Sequence, residues 1–303
     1  MENKMKYATI GAVAVMVLAA VGIMALGQGG DGIDAVVIKQ KGSDTMLELC
    51  QIWAEDYAAY TDEANVEIAG GGSSTGIAAL INGQVDLAQA SRAIKSSEIE
   101  SANANDVEPV EFRVAIDGIA IITNQDNPVQ VLTVEQLRGI YNGTIINWDQ
   151  VGGDDRSITL YGRQSTSGTY EFFWEHVLEK ENYSVEMQML SGNSAITAAV
   201  NGDQGGIGYV GMGYADAPGI NVLDLKKDEG STAYSPLDGD AVRAGDYDLS
   251  RYLFIYSDGT PTGAIADWLD WVLTADQGQE VAVEIGFYAL SDEVIAQEKA
   301  KLG

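Results

Sequence analysis

Short stretches of glycine, serine and threonine interrupt three apolar runs of the chain. They span residues 42–45, 70–76 and 162–169, and each lies between a strand-like segment and residues with helical spacing. A helix that begins at such a stretch has unpaired N–H groups in its first turn and the positive end of its dipole at the same place. Anions bind to helix ends of this kind. Several of them meeting in space would form a site for a small oxyanion.

The residues that could bind such an anion are donors in or near these stretches. Arg163 lies four residues before Ser167, so its planar guanidinium could bind an oxyanion whose other oxygens meet hydroxyls and amides of the following helix. A single stretch of this kind also suits an ordinary helix cap, and only the combination favours a binding site. The candidate residues are Ser43, Asp44, Thr45, Ser73, Ser74, Thr75, Arg92, Arg163, Ser167, Gly168 and Thr169.

Two of the charged candidates have alternative interpretations. A carboxylate at Asp44 would repel an anion unless the ligand carries a proton, which phosphate can donate and sulfate near neutral pH cannot. Asp44 could also cap its own helix, and the two roles are compatible. Arg92 follows Ala90 and Ser91 at the end of a strand, and it could point into the same cleft or form a surface ion pair.

A catalytic alternative rests on residues 72–76, which match the G-x-S-x-G pattern of a hydrolase nucleophile elbow. Such an enzyme needs a histidine base, and His176, the only histidine, lies in the middle of a helical pattern. The sequence also lacks the Gly-Lys-Ser/Thr motif of a nucleotide-hydrolysing loop. We therefore expect a binding protein rather than an enzyme.

The composition limits the partners and cofactors. The 303 residues include 45 acidic and 17 basic side chains, a formal net charge of −28, which argues against nucleic acid as a partner. An anionic ligand stays possible, because surface charges are screened over about 10 Å whereas donors in contact with the ligand are not. Cys50 and His176 are the only residues of their types. An internal disulfide and metal sites built from several thiolates or imidazoles are therefore excluded, and no cofactor is expected.

Residues 1–34 are predicted to be a signal peptide or a membrane anchor with a spacer. Lys4 and Lys6 precede an apolar stretch at residues 7–26. Its length is nearer to the about 20 residues of a spanning helix than to the about 7 to 15 of a secretory core, which slightly favours a retained anchor. The flanking lysines would stay inside, so we expect the rest of the chain outside the cytoplasm.

The elements that must position the candidates alternate between strand and helix from residue 35 onward. This order predicts a largely parallel sheet with helices on its faces, in which ligands bind beyond the carboxyl ends of the strands. We interpret the long apolar segment 110–123 as a crossover between two lobes, broken into two strand halves at Asp117 and Gly118. The strand-like residues 252–256 are predicted to return the chain to the first lobe.

Several of these motifs resemble those of the phosphate-binding proteins of ABC importers, the PstS family. The resemblance spans roughly residues 36–290. The motifs that carry it are G-S-D-T at 42–45, G-G-S-S-T-G-I at 71–77, D-L-A at 86–88, A-S-R at 90–92, N-W at 147–148, Arg163 with S-G-T at 167–169, and G-I-G-Y at 206–209.

The resemblance implies a type II periplasmic-binding fold, in which two α/β lobes joined by a hinge close on one phosphate. It implies ligand contacts from Thr45 and its neighbours, from Ser73, and from Arg163 with residues 167–169. It also implies delivery of phosphate to an ABC permease. We expect the protein to be a monomer. We expect residues 35–117 and 252–303 to form the first lobe and residues 118–251 the second.

Two positions depart from the best-studied branch of that family. Arg92 stands where that branch has an aspartate that accepts the phosphate proton, and Ser165 stands where it has an acidic residue. Asp44 could replace the lost acceptor. A receptor for another oxyanion, such as sulfate or molybdate, and a phosphate sensor or adhesin on the same scaffold stay open as alternatives, and a serine hydrolase fits least.

Overall fold

The structure of the protein, a computed structural model, describes residues 35–303, and the predicted targeting segment lies outside them. The described residues form eleven strands and ten α-helices. The strands are β1 (Val36–Gly42), β2 (Ala64–Ala69), β3 (Leu87–Ala90), β4 (Pro109–Asn124), β5 (Val131–Thr133), β6 (Thr159–Arg163), β7 (Gln188–Leu190), β8 (Gly206–Gly211), β9 (Ile220–Lys226), β10 (Ala233–Tyr234) and β11 (Ser250–Asp258). The helices are α1 (Leu47–Tyr60), α2 (Ser73–Ile81), α3 (Ser96–Ala104), α4 (Val134–Asn142), α5 (Gly168–His176), α6 (Asn193–Asn201), α7 (Gly239–Ala244), α8 (Ala264–Val272), α9 (Gly278–Glu284) and α10 (Asp292–Lys299).

The predicted α/β fold is confirmed, and its sheet has two halves that share β4. In the first half, β1 pairs in parallel with β2 and β3, and β11 runs antiparallel between β3 and β4. In the second half, β4 pairs antiparallel with β8 and β9, and β6 pairs in parallel with β8 and β7. The sheet is therefore mixed and not largely parallel as predicted, because β4 and β11 run antiparallel to their neighbours.

Strand β4 passes from one half to the other without a break. Its residues up to Gly118 pair with β11, and the following residues pair with β8 and β9. The predicted interruption at Asp117 and Gly118 is wrong, since Pro109–Asn124 is a single strand of 16 residues. Gly118 leaves space for a neighbour instead, because a Cβ atom added there would lie 3.3 Å from the side chain of Val242.

Helix α1 packs against the first half of the sheet through a buried stripe. Leu49, Cys50, Trp53 and Tyr57 lie on it. Tyr60 follows Tyr57 at helical spacing, but it is 64% exposed. It is the last residue of the helix, beyond the buried part of the stripe. The buried stripe fixes the start of α1 beside the loop that follows β1.

Candidate functional site

Three junctions between a strand and a helix meet in one place. They are the loop after β1, the start of α2 and the start of α5. Thr45 Oγ1 lies 2.7 Å from Thr169 Oγ1, and the amide of Ser74 donates to Thr166 O at 3.2 Å. Ser73 and Thr169 are both 0% exposed. Residues that are 124 positions apart in the chain therefore contribute to one buried surface.

Two glycines allow the start of α2 to contact the start of α5. A Cβ atom added to Gly168 would lie 2.4 Å from Ser73 Oγ and 2.8 Å from Ser91 Oγ. Gly72 has a φ of +93°, and a Cβ atom there would lie 2.4 Å from Thr166 O. A side chain at either position would keep the two helix ends apart. The absence of a Cβ atom therefore allows their close approach.

Arg163 ends β6 and reaches the same place from the second half of the sheet. Its side chain is buried, Nη2 donates to Asp44 Oδ2 at 2.8 Å, and Nη1 donates to Asn193 Oδ1 at 3.1 Å. Burial lowers the pKa of the guanidinium from its usual value, Asp44 opposes this effect, and Arg251 adds to it. The group stays protonated at physiological pH, as arginine does in proteins. The site therefore contains a buried cation.

Asp44 connects Arg163 to the loop before α2. Its Oδ2 accepts from Arg163, and its Oδ1 accepts from the amide of Gly71 at 2.8 Å. The capping interpretation is wrong, since the N-cap of α1 is Met46 and both carboxylate oxygens of Asp44 bind groups outside α1. This pairing supplies a carboxylate to Arg163 although Ser165 is not acidic. Contact between Asp44 and a proton of the ligand stays a prediction.

The serine hydroxyls of the site accept bonds from backbone amides. Ser73 Oγ accepts from the amide of Ser91 at 3.0 Å, and Ser167 Oγ caps α5 by accepting from the amide of Thr169 at 3.2 Å. A hydroxyl has one proton to donate besides its two lone pairs. Ser167 Oγ also accepts from the amide of Tyr170 at 3.4 Å, and Ser73 Oγ lies 3.3 Å from Ser91 Oγ, where either hydroxyl can be the donor. The bonds from the amides use lone pairs only, so the proton of each serine can be donated to a ligand oxygen.

Several buried donors at this place have no partner. Among the described residues, the buried atoms Ser43 Oγ, Arg163 Nε and Arg251 Nη1 have no hydrogen-bond partner. The amides of Thr45 and Ser73 also donate no hydrogen bond within residues 35–303. Buried polar groups in proteins are nearly always paired. A set of converging donors therefore fits an anion that offers several acceptor oxygens.

The chain is similar to known phosphate-binding proteins over most of its length. Residues 29–276 match the family model of the PBP superfamily domain. The phosphate-binding protein PstS of Pseudomonas aeruginosa is 32% identical over 279 residues, which cover 86% of this chain and 85% of the relative. The chain belongs to the PstS family.

Solved structures agree with membership of the PstS family. A protein from Clostridium perfringens, assigned as a phosphate ABC transporter substrate-binding protein and solved with bound phosphate, is 28% identical with a TM-score of 0.75. The match covers 84% of this chain and 100% of that one. An ABC-type phosphate transport receptor from Vibrio cholerae is also 28% identical, with a TM-score of 0.66 and the same coverage of both chains. The predicted type II periplasmic-binding fold is confirmed.

Arg92, a site candidate from the sequence, is bound to carboxylates at the edge of the PstS-type site. Nη1 and Nη2 donate to the two carboxylate oxygens of Glu98 at 2.8 and 2.7 Å, and Nη2 also donates to Ser74 Oγ at 3.0 Å. Nε lies 2.8 Å from Glu171 Oε2, an ion pair rather than a well-aligned hydrogen bond. The structure therefore places Arg92 with two glutamates and not with Arg163.

Ser74 and Thr75 also lie outside the group of converging donors. Ser74 Oγ accepts from Arg92, as described above. Thr75 Oγ1 lies 2.7 Å from the carbonyl oxygens of both Gly71 and Gly72, which share its single proton as acceptors. The Thr75 hydroxyl therefore holds the loop that presents α2. A contact between either side chain and the ligand stays a prediction.

The contacts of Ser74 and His176 do not form a nucleophile and base pair. His176 stacks on Phe172 at 3.8 Å between ring centroids, and its Nδ1 lies 2.9 Å from Phe172 O. Within residues 35–303, no hydrogen bond joins this ring to Ser74, whose hydroxyl accepts from Arg92. The elbow motif of the sequence is here the glycine-rich entry to α2. No group of three metal-ligating side chains occurs in the same range.

Three polar residues of the site were not found from the sequence. Asn193 accepts from Arg163, and Asp117 accepts from Arg251 Nη2 at 2.7 Å. Arg251 also donates to Thr169 Oγ1 at 2.9 Å. The sequence does indicate that Asp117 is unusual, because a lone carboxylate inside an apolar strand needs a buried partner. The partner lies 134 positions away, and no local pattern identifies it or Asn193.

Ion pairs join the two halves at the edge of the site. Glu171 on α5, in the second half, lies against Arg92 and Lys95 of the first half. These contacts exist only while the halves are together. Replacing Glu171 with glutamine is therefore expected to weaken phosphate binding by about 1 kcal/mol, or about fivefold in Kd, because closure loses a partly buried charge pair. Titration calorimetry at low and high salt measures this change.

A matched control for that change is available one turn further along the same helix. Glu175 forms an exposed ion pair with Lys180 at 3.5 Å, within the second half alone. Replacing Glu175 with glutamine is expected to leave phosphate affinity unchanged. Equal affinities for the Glu171→Gln variant and the wild type would show that the ion pairs do not support closure.

Proposed function

We propose that the protein captures inorganic phosphate between the two halves of its sheet and delivers it to an ABC permease. The observation that carries this proposal is the convergence of unpaired donors from three strand–helix junctions around the buried guanidinium of Arg163. The relative from P. aeruginosa is named as a phosphate-binding protein, and the structure from C. perfringens contains bound phosphate. The proposal requires binding without chemical change.

The proposed phosphate contacts combine neutral and charged donors. Arg163 Nε would donate to one oxygen, and the hydroxyls and amides of Thr45 and Ser73 would donate to others. The first turn of α5, which contains Ser167, Gly168 and Thr169, would contribute further donors. Both α2 and α5 point the positive ends of their dipoles at the ligand, which favours negative charge. In a buried site these interactions are weakly screened.

The affinity that this arrangement supports is moderate to high. A micromolar Kd corresponds to about −8 kcal/mol. Charge-assisted hydrogen bonds are each worth about 1.5 to 3 kcal/mol net. A few of them, with several neutral bonds, can therefore supply this free energy after the cost of fixing the two halves together has been subtracted.

We propose that the two halves are lobes that move about a hinge. Residues 35–117 and 252–303 form the first lobe and residues 118–251 the second. The chain crosses between them at the middle of β4, where the strand changes partners, and at the start of β11. Contacts such as Thr45 with Thr169 and Asp44 with Arg163 join the lobes and belong to the closed form. Closure buries the ligand and release requires opening.

The test of this function is a competition experiment at known pH. Calorimetric titration of the purified protein with phosphate, alone and in the presence of sulfate, arsenate or molybdate, gives the affinity for each anion. The proposal expects one phosphate per chain and displacement only at much higher sulfate and molybdate concentrations. Tighter binding of sulfate or molybdate would support a receptor for another oxyanion instead.

Replacing Asp44 with asparagine is expected to relax the preference for phosphate over sulfate. The carboxylate can accept a proton from phosphate, whereas an amide can turn its N–H₂ group toward a fully ionised oxyanion. The ratio of the two Kd values, measured by calorimetry for variant and wild type, reports this change. Asp86 provides the matched control, since its exposed carboxylate accepts from the amide of Lys39 at 2.8 Å. Selectivity equal to that of the wild type would assign Asp44 to holding Arg163 only.

The proposed place of action is the outer side of the cell membrane. PstS-type binding proteins are extracytoplasmic, and we propose that this chain acts as a monomer that meets its permease there. Among the described residues, no helix has the length and apolar character needed to cross a membrane. Anchoring by residues 1–34, or their removal as a signal peptide, stays a prediction. A phosphate sensor or adhesin would bind the same ion without a permease.

A further inference from the structure

Arg251 lies where the two halves of the sheet join. It is the second residue of β11 and pairs with Asp117 of β4 in the strand register. Its Nε and Nη2 donate to Asp117 Oδ2 at 3.0 and 2.7 Å, and Asp117 Oδ1 accepts from the amide of Met212 at 3.0 Å. Its guanidinium also lies 5.3 Å from the ring centroid of Phe172. Residues of both halves therefore fix its position.

A further hydrogen bond connects Arg251 to the anion site. Its Nη2 donates to Thr169 Oγ1 at 2.9 Å, and Thr169 Oγ1 lies 2.7 Å from Thr45 Oγ1. A guanidinium can only donate, so the Thr169 hydroxyl must accept this bond and direct its own proton elsewhere. The remaining directions are toward Thr45 or toward a ligand. Arg251 therefore keeps the Thr169 hydroxyl in the role of a donor.

One donor of Arg251 remains available. Its Nη1 is buried and has no hydrogen-bond partner among the described residues. Arg251 is also close enough to Arg163 that its charge contributes to lowering the pKa of Arg163, after the larger effect of burial. Each of these buried cations pairs with one carboxylate, Asp44 for Arg163 and Asp117 for Arg251. A multiply charged anion beside both would offset their repulsion and satisfy the unpaired nitrogens.

We propose that Arg251 is a second guanidinium of the oxyanion site, which positions the Thr169 hydroxyl as a donor and donates to the ligand through Nη1. This inference rests on the proposed phosphate binding and adds a residue that determines its strength. Because Asp117 and Arg251 lie at the crossing between the halves, the same pair links the ligand to the place where the halves hinge. A purely structural role would leave affinity unchanged once the Asp117 charge is balanced.

The first experiment compares phosphate affinities of variants by titration calorimetry. Arg251→Gln is expected to raise the Kd by about 10- to 100-fold, the range for loss of a hydrogen bond to a charged group. Since this change leaves Asp117 buried and unpaired, the double variant Asp117→Asn/Arg251→Gln is measured beside it, with thermal unfolding as a check of folding. The control is Arg243→Gln, since the Arg243 side chain is 45% exposed and pairs with Asp240 at 2.8 Å.

A double-mutant cycle tests the action through Thr169. Thr169→Val keeps the shape of the side chain and removes the hydroxyl that Arg251 fixes. If Arg251 acts partly through this hydroxyl, the combined loss of affinity will be smaller than the product of the two single losses. Guanidinium ion at millimolar concentration, far below denaturing levels, is expected to restore part of the phosphate affinity of Arg251→Ala, and not to raise that of Arg243→Ala.

The outcomes separate this inference from the proposed function. A wild-type protein that binds no phosphate contradicts both. A wild-type protein that binds phosphate, together with a folded Asp117→Asn/Arg251→Gln variant of the same affinity, overturns the role of Arg251 alone. If the losses of binding free energy in the two single variants add up to the loss in the double variant, Arg251 does not act through Thr169. If neither Arg251 variant folds, Arg251→Lys, which keeps a charge beside Asp117 but lacks the guanidinium fork, is measured instead, and wild-type phosphate affinity in that folded variant would overturn the proposal.

Discussion

Replacing Arg163 with alanine is expected to weaken phosphate binding by about 2 to 5 kcal/mol, the cost of removing one partner of a buried charge pair. The guanidinium donates to Asp44 and Asn193, and its Nε remains for the ligand. Its loss removes a charged donor and leaves the Asp44 carboxylate beside the anion. Titration calorimetry should show a Kd at least about 30-fold above that of the wild type.

Two comparisons isolate the contact with the ligand. Arg138→Ala is a control in the same half, because Arg138 donates to Val177 O at 2.9 Å and pairs with Glu179 away from the site. The double variant Asp44→Asn/Arg163→Ala removes the carboxylate that the single variant leaves unpaired, and it should still bind weakly. Phosphate affinity of Arg163→Ala within twofold of the wild type would refute the assignment of this arginine.

Replacing Gly168 with alanine is expected to keep the two halves apart and to raise the Kd for phosphate. The new Cβ atom would lie 2.4 Å from Ser73 Oγ and 3.0 Å from Ser73 Cβ. The serine hydroxyl cannot turn away without losing its bond from the amide of Ser91. Overpacking of this kind costs about 1 to 3 kcal/mol, which corresponds to roughly 5- to 150-fold in Kd. Calorimetry measures the affinity, and small-angle scattering with phosphate measures closure.

Gly192 offers a matched control for this substitution. It too lies at the start of a helix, as the N-cap of α6, and no atom lies within 4 Å of a Cβ added to it. Gly192→Ala should therefore bind phosphate as the wild type does. The two variants differ in whether the added methyl group meets the opposite half. Wild-type affinity in the Gly168→Ala variant would indicate that α2 and α5 do not approach each other in the phosphate-bound form.

An acidic chain can bind an anionic ligand because surface charges at a distance affect the site less than the groups that contact the ligand. The formal net charge of −28 belongs to the whole chain. At the site itself, two buried guanidiniums, Arg163 and Arg251, pair with two carboxylates, and helix ends supply further positive potential. Because surface charges are screened over about 10 Å, contacts at the site decide the binding free energy. The surface charge influences association rates more than affinity.

Local patterns in the sequence predict much of this arrangement. The glycine, serine and threonine stretches locate the three junctions, because a helix start after a strand has a short-range signature. The alternation of elements predicts the fold class, and the order of strands predicts that the junctions share an edge. The position of Arg163 four residues before Ser167 places it at the same edge.

Long-range pairing could not be predicted from those patterns. Ion pairs with Glu98 and Glu171 set the orientation of the Arg92 side chain. Glu171 lies on α5, in the second half of the sheet, whereas Arg92 lies in the first. From the sequence, Asp117 is interpreted with Gly118 as a break in the apolar segment, because no local pattern identifies a buried partner for its carboxylate. Its partner Arg251 lies in β11, and only the folded register of the two strands brings them together.

The most direct test of the central claim is a crystal structure of the protein grown with phosphate. We predict tetrahedral density between the halves, with oxygens within hydrogen-bonding distance of Arg163 Nε and of the first turns of α2 and α5. Thr45 and Thr169 should contact the same ion. Phosphate located elsewhere, with the place between these junctions filled only by water, would contradict the account.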